Sequence, residues 1–254
     1  MNAVASPAVR APLARPAGAA RRGKLYLGTA IAMAAVAFAG FAPSYWAPMA
    51  AGTLELHPVV HVHGALFFSW TLYFVAQTAL VAGGHARWHR RLGLLGIALA
   101  ALMVLSGVLV QIANLQEGLR GPRPELARTV AGLGLSAMLM FATFVALAIA
   151  NFRRPEIHRR LMVLASFAII GAAVVRLAGW IGGGALPERV LLGTLVVDGL
   201  LVAVVLLDRR AAGRIHPVWI AGGLFLVLNQ VLRAVIAGTG PWAAFTDWLA
   251  AFGG

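Results

Sequence analysis

Seven long apolar stretches run through this chain of 254 residues, and each is long enough to cross a membrane as a helix. Spanning the hydrocarbon of a bilayer takes about 20 consecutive apolar residues in a helix. Only 11% of the residues are charged, whereas a typical soluble domain has about 25%. The predicted spans are 25–46, 59–83, 92–114, 127–151, 161–184, 189–208 and 217–238. The sequence therefore predicts an all-α polytopic membrane protein with seven transmembrane helices, arranged as one leading helix followed by three hairpins.

The basic residues between the spans predict the orientation of the chain. Lys and Arg accumulate in the cytoplasmic connections of membrane proteins. Fifteen of them lie in the N-terminal tail and in the connections 84–91, 152–160 and 208–216, whereas four lie in the alternate connections. We therefore expect the N-terminus to lie inside, in the cytoplasm, and the C-terminus to lie outside.

The two ends of the chain differ from the spans in composition. Residues 1–24 are rich in Ala, Pro and Arg without apolar periodicity, which predicts a disordered basic cytoplasmic tail. Residues 25–238 form the predicted transmembrane domain. Residues 239–254 carry aromatic side chains at helical spacing, so we expect an amphipathic C-terminal segment that lies along the membrane interface.

The net charge of +13 does not indicate nucleic-acid binding, because nearly all the arginines lie between apolar runs. This distribution is typical of loops that face anionic lipid headgroups. The chain has no cysteine, which excludes disulfides and thiolate metal sites. We therefore expect the lipid bilayer, with anionic headgroups at the cytoplasmic loops, to be the partner of the basic residues.

The three predicted cytoplasmic loops resemble one another. They read "GGHARWHRRLGLLG", "NFRRPEIHRRLMVL" and "DRRAAGRIHPVWIA", and they align on His89, His158 and His216. Each histidine comes just before or at the start of a span that runs outward. The three hairpins are either true repeats or a chance similarity of apolar sequence, and the spacing alone does not decide between the two.

Two of these segments carry a resemblance to a known family. "HRRLGLLGIALAAL" and, further on, "EIHRRLMVLASFAIIGAAVVRL" resemble a bacterial family of multi-span inner-membrane proteins of unknown function. That family has paired His-Arg loop motifs and an intramembrane arginine. The resemblance covers roughly residues 59–180 and extends to His63, His89, His158 and Arg176. It implies a multi-pass protein of the bacterial cytoplasmic membrane and carries no activity with it.

Away from the span edges, three charged residues lie within the predicted spans, namely Arg176, Asp198 and Arg233. A charge inside a bilayer costs at least about 2.5–3.5 kcal/mol, so such residues usually have a role. At a rise of about 1.5 Å per residue, all three lie near the midplane or in the outer half. We expect Asp198 to form an ion pair with Arg176 or Arg233. The remaining arginine then either reaches the outer interface or holds an anionic group, such as a haem propionate or a quinone oxygen.

Three histidines lie near the outer start of the second span. His61 and His63 point about 200° apart on a helix, whereas His57 and His61 share a face near the water. His63 begins an inward-facing stripe, and we expect it either to bind a haem or metal in an outer-half cavity or to be a hydrogen-bonded core residue. His57, His61 and His63 together form a candidate copper or zinc site.

On the cytoplasmic side, His89, His158 and His216 open three separate helices and could converge on a cofactor. Ligation of haem by two histidines requires imidazoles from two helices that face each other. The alternative is that these three are solvated loop residues. For a haem bound at His63, Arg176 or Arg233 would contact the propionates.

These features leave several function classes open. The first is a redox protein of the membrane that binds haem b or a copper or zinc ion and exchanges electrons with quinone. The second is a non-enzymatic assembly factor or accessory subunit that binds another membrane subunit, and the third is a small-molecule transporter. The spans contain no lysine that could hold retinal, and the chain has no HExxH or GxSxG motif. Whether the protein is an enzyme stays open.

Overall fold

The computed structural model describes residues 17–252, and all regular secondary structure in this range is helical. A π-helical segment, Ala42–Trp46, follows the first α-helix. The α-helices are α1 (Ala17–Phe41), α2 (Ala47–Ala50), α3 (Pro58–Ala82), α4 (Ala86–Arg120), α5 (Pro124–Ala150), α6 (Pro155–Gly182), α7 (Leu186–Ala212), α8 (Pro217–Ile236) and α9 (Gly240–Ala250).

Seven helical segments in the described range are long and apolar enough to cross a membrane. The predicted all-α fold with seven membrane-spanning helices is thereby confirmed, and the chain is a multi-pass membrane protein by the length and composition of its helices. The first helix begins at Ala17 rather than at residue 25, so the last residues of the predicted tail are helical. The rest of that tail, residues 1–16, lies outside the described residues.

Proline and glycine mark the helix boundaries. Proline stands at the first helical position of α3, α5, α6 and α8, where its missing N–H costs nothing and its fixed φ favours the helix. Gly84 and Gly213, in the turns before α4 and α8, have φ values of 92° and 80°. Only glycine adopts this left-handed region without strain, so these two residues allow tight connections.

Five helices form a closed ring, in which α1, α3, α4, α5 and α6 each pack against the next and α6 packs against α1. Trp70 of α3 and Phe141 of α5 pack edge to face within the ring, whereas the buried Phe144 and Leu164 contact α8 on its outside. The most buried of the spanning helices is α6, because it also supports helices outside the ring.

Two spanning helices lie outside the ring. α7 packs on α6 and α1, and α8 packs on α6 and α5, while α7 and α8 are joined by side-chain hydrogen bonds at Asp198 and Asp208 rather than by close backbone packing. The first two predicted hairpins are thus closely packed and the third is splayed around α6. The C-terminal helix α9 packs on α4 and α5, with Leu249 buried against Leu115 and Ala131. The predicted C-terminal helix is present, and its location along the interface stays a prediction.

The bundle has two ends that are used below as reference points. The basic end is where α1 begins and where the turns between α3 and α4, between α5 and α6, and between α7 and α8 lie. The opposite end holds the π-helical segment, the start of α3 and the ends of α4 and α6. That the basic end faces the cytoplasm stays a prediction.

Candidate functional site

The seven histidines lie at the two ends of the bundle. His57, His61 and His63 lie at the opposite end, whereas His85, His89, His158 and His216 lie at the basic end. An imidazole nitrogen that accepts a hydrogen bond carries a lone pair, and one that donates carries a proton. Because a neutral imidazole has one proton, the partner of Nδ1 indicates whether Nε2 is free to bind a metal.

His57 and His216 are helix caps. Nδ1 of His57 accepts a hydrogen bond from the backbone N–H of Val59 at 3.3 Å, and Nδ1 of His216 accepts one from Val218 at 3.2 Å. Partial burial, together with the nearby Arg160 guanidinium, lowers the pKa of His216, which favours the neutral ring that can accept. Nε2 of each ring then carries the proton. The structure thus gives both residues a capping role, where the sequence predicted a metal ligand and a cofactor ligand.

His61 is engaged with the first span rather than with its neighbouring histidines. Its Nδ1 lies 3.1 Å from the Tyr45 hydroxyl in the π-helical segment. Within residues 17–252, no group of three or more His, Cys, Asp or Glu side chains is placed to hold a metal ion. The predicted trio of His57, His61 and His63 therefore does not converge, because its members point to a helix terminus, to the π-helical segment and into the ring.

His63 faces the interior of the ring, as its position in the sequence predicted. Its Nδ1 lies 3.0 Å from the Ser106 hydroxyl on α4. The same hydroxyl oxygen lies 3.2 Å from the Met103 carbonyl oxygen, so its one proton is available either to that carbonyl or to His63 Nδ1. The contact between His63 and Ser106 joins α3 to α4 inside the ring.

His89 and His158 meet at the basic end. Their ring centroids are 6.2 Å apart and their planes are inclined by 76°. His158 Nδ1 donates to the Ala148 carbonyl oxygen at 2.8 Å, which leaves the lone pair on Nε2. His89 Nδ1 is buried and has no hydrogen-bond partner among the described residues. Of the three histidines that the sequence predicted to converge, these two come together and His216 does not.

The basic end also contains a buried ionic network that the sequence analysis missed. Asp208 at the end of α7 and Arg160 on α6 are almost completely buried, at 0% and 1% exposure. Arg160 donates to Asp208 at 2.8 Å and forms a second contact with it at 2.7 Å. Tyr26 and Trp219 donate to the same carboxylate at 3.0 and 2.8 Å, and Arg160 also contacts Glu156 at 2.9 Å.

The ionic network joins α1, α6, α7 and α8 at one point. Four donor contacts satisfy the Asp208 carboxylate, which is the condition under which a buried charge is tolerated. The sequence carried a signal for it. Glu156 and Arg160 are four residues apart in a helix, and Asp208 is the one acidic residue in a strongly basic connection. Because protein side chains supply all the donors to Asp208, we interpret the network as a structural contact between helices and not as a ligand site.

The predicted intramembrane ion pair takes a different form. Asp198 on α7 accepts a hydrogen bond from Gln230 of α8 at 3.0 Å. Arg233 lies close enough to interact with the Asp198 charge, but among the described residues no arginine lies within 4.0 Å of this carboxylate. Arg176, far along α6, donates to the Ala172 carbonyl oxygen at 3.1 Å and lies over the Phe41 ring at 4.5 Å. The Gln230 amide therefore takes the place that the sequence analysis gave to an arginine.

Comparison of the chain with protein-family models, with curated proteins and with solved structures finds no match. Its function is therefore inferred from the side-chain geometry of the two ends of the bundle.

Proposed function

We propose that this protein is a membrane redox protein that binds a haem between His89 and His158 at the basic end of the bundle. The observation that carries the proposal is the approach of these two imidazoles, 6.2 Å apart between ring centroids, from two helices of the ring. One metal ion held by both rings would place their centroids at most roughly 6 Å apart, since each metal–nitrogen bond is about 2.0 Å and each ring adds the distance from its nitrogen to its centre.

The hydrogen bonds of the pair suit metal ligation. A metal-binding histidine usually donates its second ring nitrogen to a carboxylate or a backbone carbonyl, which fixes the tautomer. His158 makes such a bond with the Ala148 carbonyl oxygen. His89 offers a buried ring nitrogen whose hydrogen-bonding capacity no described residue uses. These contacts are more typical of metal-binding histidines than of solvated loop residues.

The number of ligands favours haem over a free ion. Zinc sites take three or four protein ligands, whereas a haem brings its own equatorial nitrogens and needs axial ligands alone. The described residues offer two imidazoles here and no third ligand group. When bound, haem iron supplies one-electron chemistry, and a membrane quinone or a neighbouring redox subunit is the class of partner that we propose for it.

The surrounding charge supports an anionic cofactor. Arg90 follows His89 directly, and Arg159, which also contacts Glu156, follows His158. Haem propionates are carboxylates, and arginine binds carboxylates through a planar pair of donors. With the basic end facing the cytoplasm of a bacterial inner membrane, as the distribution of basic residues predicts, the haem would lie on the cytoplasmic side.

The haem content of purified variants tests the proposal. Protein from haem-supplied cells should contain haem, and His89→Ala and His158→Ala should each lose one equivalent per chain. His85→Ala, in the same turn as His89 but outside the pair, should keep the wild-type content. A haem-free wild-type protein, or equal haem content in all four preparations, would refute the proposal.

A further inference from the structure

A cleft of about 690 Å³ opens at the opposite end of the bundle, beside the starts of α5 and α7. Its walls come from residues 122–126, around the turn between α4 and α5, and from residues 184–187 with Arg189, around the turn between α6 and α7. Small-molecule sites in proteins have volumes of about 300–1,000 Å³. The cleft is therefore large enough for a small ligand, and none of its lining residues is a histidine.

Arg189 presents a fixed guanidinium at this cleft. Its Nε donates to the carbonyl oxygens of Gly183 and Gly184 at 3.2 and 2.7 Å. The two glycines have φ values of 66° and 85°, a region that other residues rarely adopt, so the turn presents both carbonyls to one side chain. The described residues provide no acceptor for its two Nη groups. An arginine held in this way through Nε keeps a planar pair of donors for a carboxylate.

The acidic side chains around the cleft are engaged elsewhere. Arg123 and Arg189 are the two cations among the lining residues, and Glu125 is the one acid. Glu125 pairs with Arg128 at 3.4 Å, and the nearby Glu188 accepts the backbone N–H at the start of α7 at 3.1 Å. Neither cation of the cleft forms an ion pair within the described part of the chain. The positive ends of the α5 and α7 dipoles add to the field of these two arginines.

Apolar side chains form the other walls of the cleft. Three prolines and two leucines line it, namely Pro122, Pro124, Pro187, Leu126 and Leu186. Proline fixes the backbone φ, so binding a ligand here requires little ordering of the chain. An apolar ligand body can pack on these walls while its charged group reaches the arginines. The volume and the apolar walls together favour a small ligand over a phospholipid headgroup, which is polar throughout.

We propose that the cleft binds a small organic anion, with a carboxylate held between Arg123 and Arg189 and an apolar body on the proline and leucine walls. The site shares no residue with the His89–His158 pair and lies at the other end of the bundle. The proposal therefore does not rest on the proposed function. Because the basic end is predicted to face the cytoplasm, the ligand would reach the cleft from the outer side of the membrane.

Fluorine NMR of para-fluorobenzoate tests the proposal with detergent-purified protein. This probe has a carboxylate on a flat apolar ring, and para-fluorobenzamide is its uncharged counterpart. The wild type should broaden the fluorobenzoate signal saturably and leave that of the amide little changed. Arg123→Gln and Arg189→Gln should each weaken fluorobenzoate binding by roughly 10–100-fold, because each removes charge-assisted hydrogen bonds to the carboxylate.

Arg120→Gln is the matched control, because Arg120 is an exposed arginine at the same end that does not line the cleft. It should bind fluorobenzoate as the wild type does. Arg123 is also exposed, so Arg123→Gln should fold normally and decides the test even where Arg189→Gln disturbs its turn. Absence of binding to the wild type, equal binding in the wild type and Arg123→Gln, or equal binding of the amide would overturn the proposal. Displacement of the probe by phosphatidylglycerol would also overturn it, because the cleft would then be a lipid headgroup site.

Discussion

His158 and His216 follow similar basic loops, yet Nδ1 of His158 donates a hydrogen bond to a backbone carbonyl whereas Nδ1 of His216 accepts one from a backbone N–H. Pro217 comes directly after His216, so this histidine is the residue before the helix and caps it. Pro155 comes three residues before His158, which places that histidine inside the first turn of α6. Proline at the first helical position sets the start of each helix. An alignment on the histidines therefore joins residues at different helical positions, and the position relative to proline predicts the role better.

The capping role of His216 predicts a matched pair of substitutions. Asparagine is a good N-cap and alanine is not, so His216→Ala should lose about 0.5–2 kcal/mol of stability while His216→Asn loses little. The measurement is thermal unfolding in detergent. His85→Ala is the control, because His85 precedes α4 without making a side-chain capping bond. Equal stability of the Ala and Asn variants would contradict the cap.

The stability that the His216 cap contributes should depend on pH. Burial and Arg160 lower the pKa of folded His216, so the unfolded chain takes up its proton first as the pH falls. The stabilisation from the neutral cap is present above the ordinary histidine pKa of about 6.5 and is lost as the pH falls below it. His216→Asn should remove this part of the pH dependence, and an unchanged pH profile would count against the assignment.

At the scale of helices, the ionic network at the basic end holds α1, α6, α7 and α8 together through one carboxylate. Asp208→Asn removes the charge from a site with four donor contacts, and we expect a loss of about 3–5 kcal/mol. Asp198→Asn is the matched control, because an amide oxygen can still accept from Gln230, so its effect should be small. Thermal unfolding of the two variants checks this, and a larger effect at Asp198 would reverse our assignment of the two aspartates.

The helix boundaries explain what the sequence could and could not predict. Hydrophobic stretches located all seven spans, because each crossing needs about 20 predominantly apolar residues. The same criterion stops where charges cluster, so it began the fifth span at residue 161 and placed Arg160 in a loop. In the structure α6 begins at Pro155 and α7 continues past Asp208. The pairing of two charges on distant helices allows these helix ends to be buried, and no local pattern reveals such a pairing.

For the histidines too, features set by a single helix could be predicted from the sequence, whereas contacts between helices could not. The position of His63 on an inward stripe was predictable from helical periodicity, because its stripe lies on one helix. The approach of His89 to His158 depends on the packing of α3, α4, α5 and α6 into a ring.

At the scale of the whole molecule, seven spans predict that the two ends of the chain lie on opposite sides of the membrane. The fifteen-to-four distribution of basic residues predicts that the C-terminus lies outside. A reporter active only outside the cytoplasm should therefore be active when fused after residue 254. The same reporter inserted at the turn beginning at Gly213 should be inactive. The reverse pattern would place the basic end outside and contradict the predicted orientation.

The most direct measurement of the central claim is the visible spectrum of His89→Gly protein with and without added imidazole. Wild-type protein isolated from haem-supplied cells should show the spectrum of a six-coordinate haem with two imidazole ligands. In His89→Gly, one axial ligand is absent while His158 stays fixed by the Ala148 carbonyl oxygen, so the spectrum should change to that of a haem lacking one axial imidazole. Free imidazole should enter the space left by the side chain and restore the wild-type spectrum. A His89→Gly spectrum identical to the wild type, or one that imidazole does not alter, would contradict a haem held between His89 and His158.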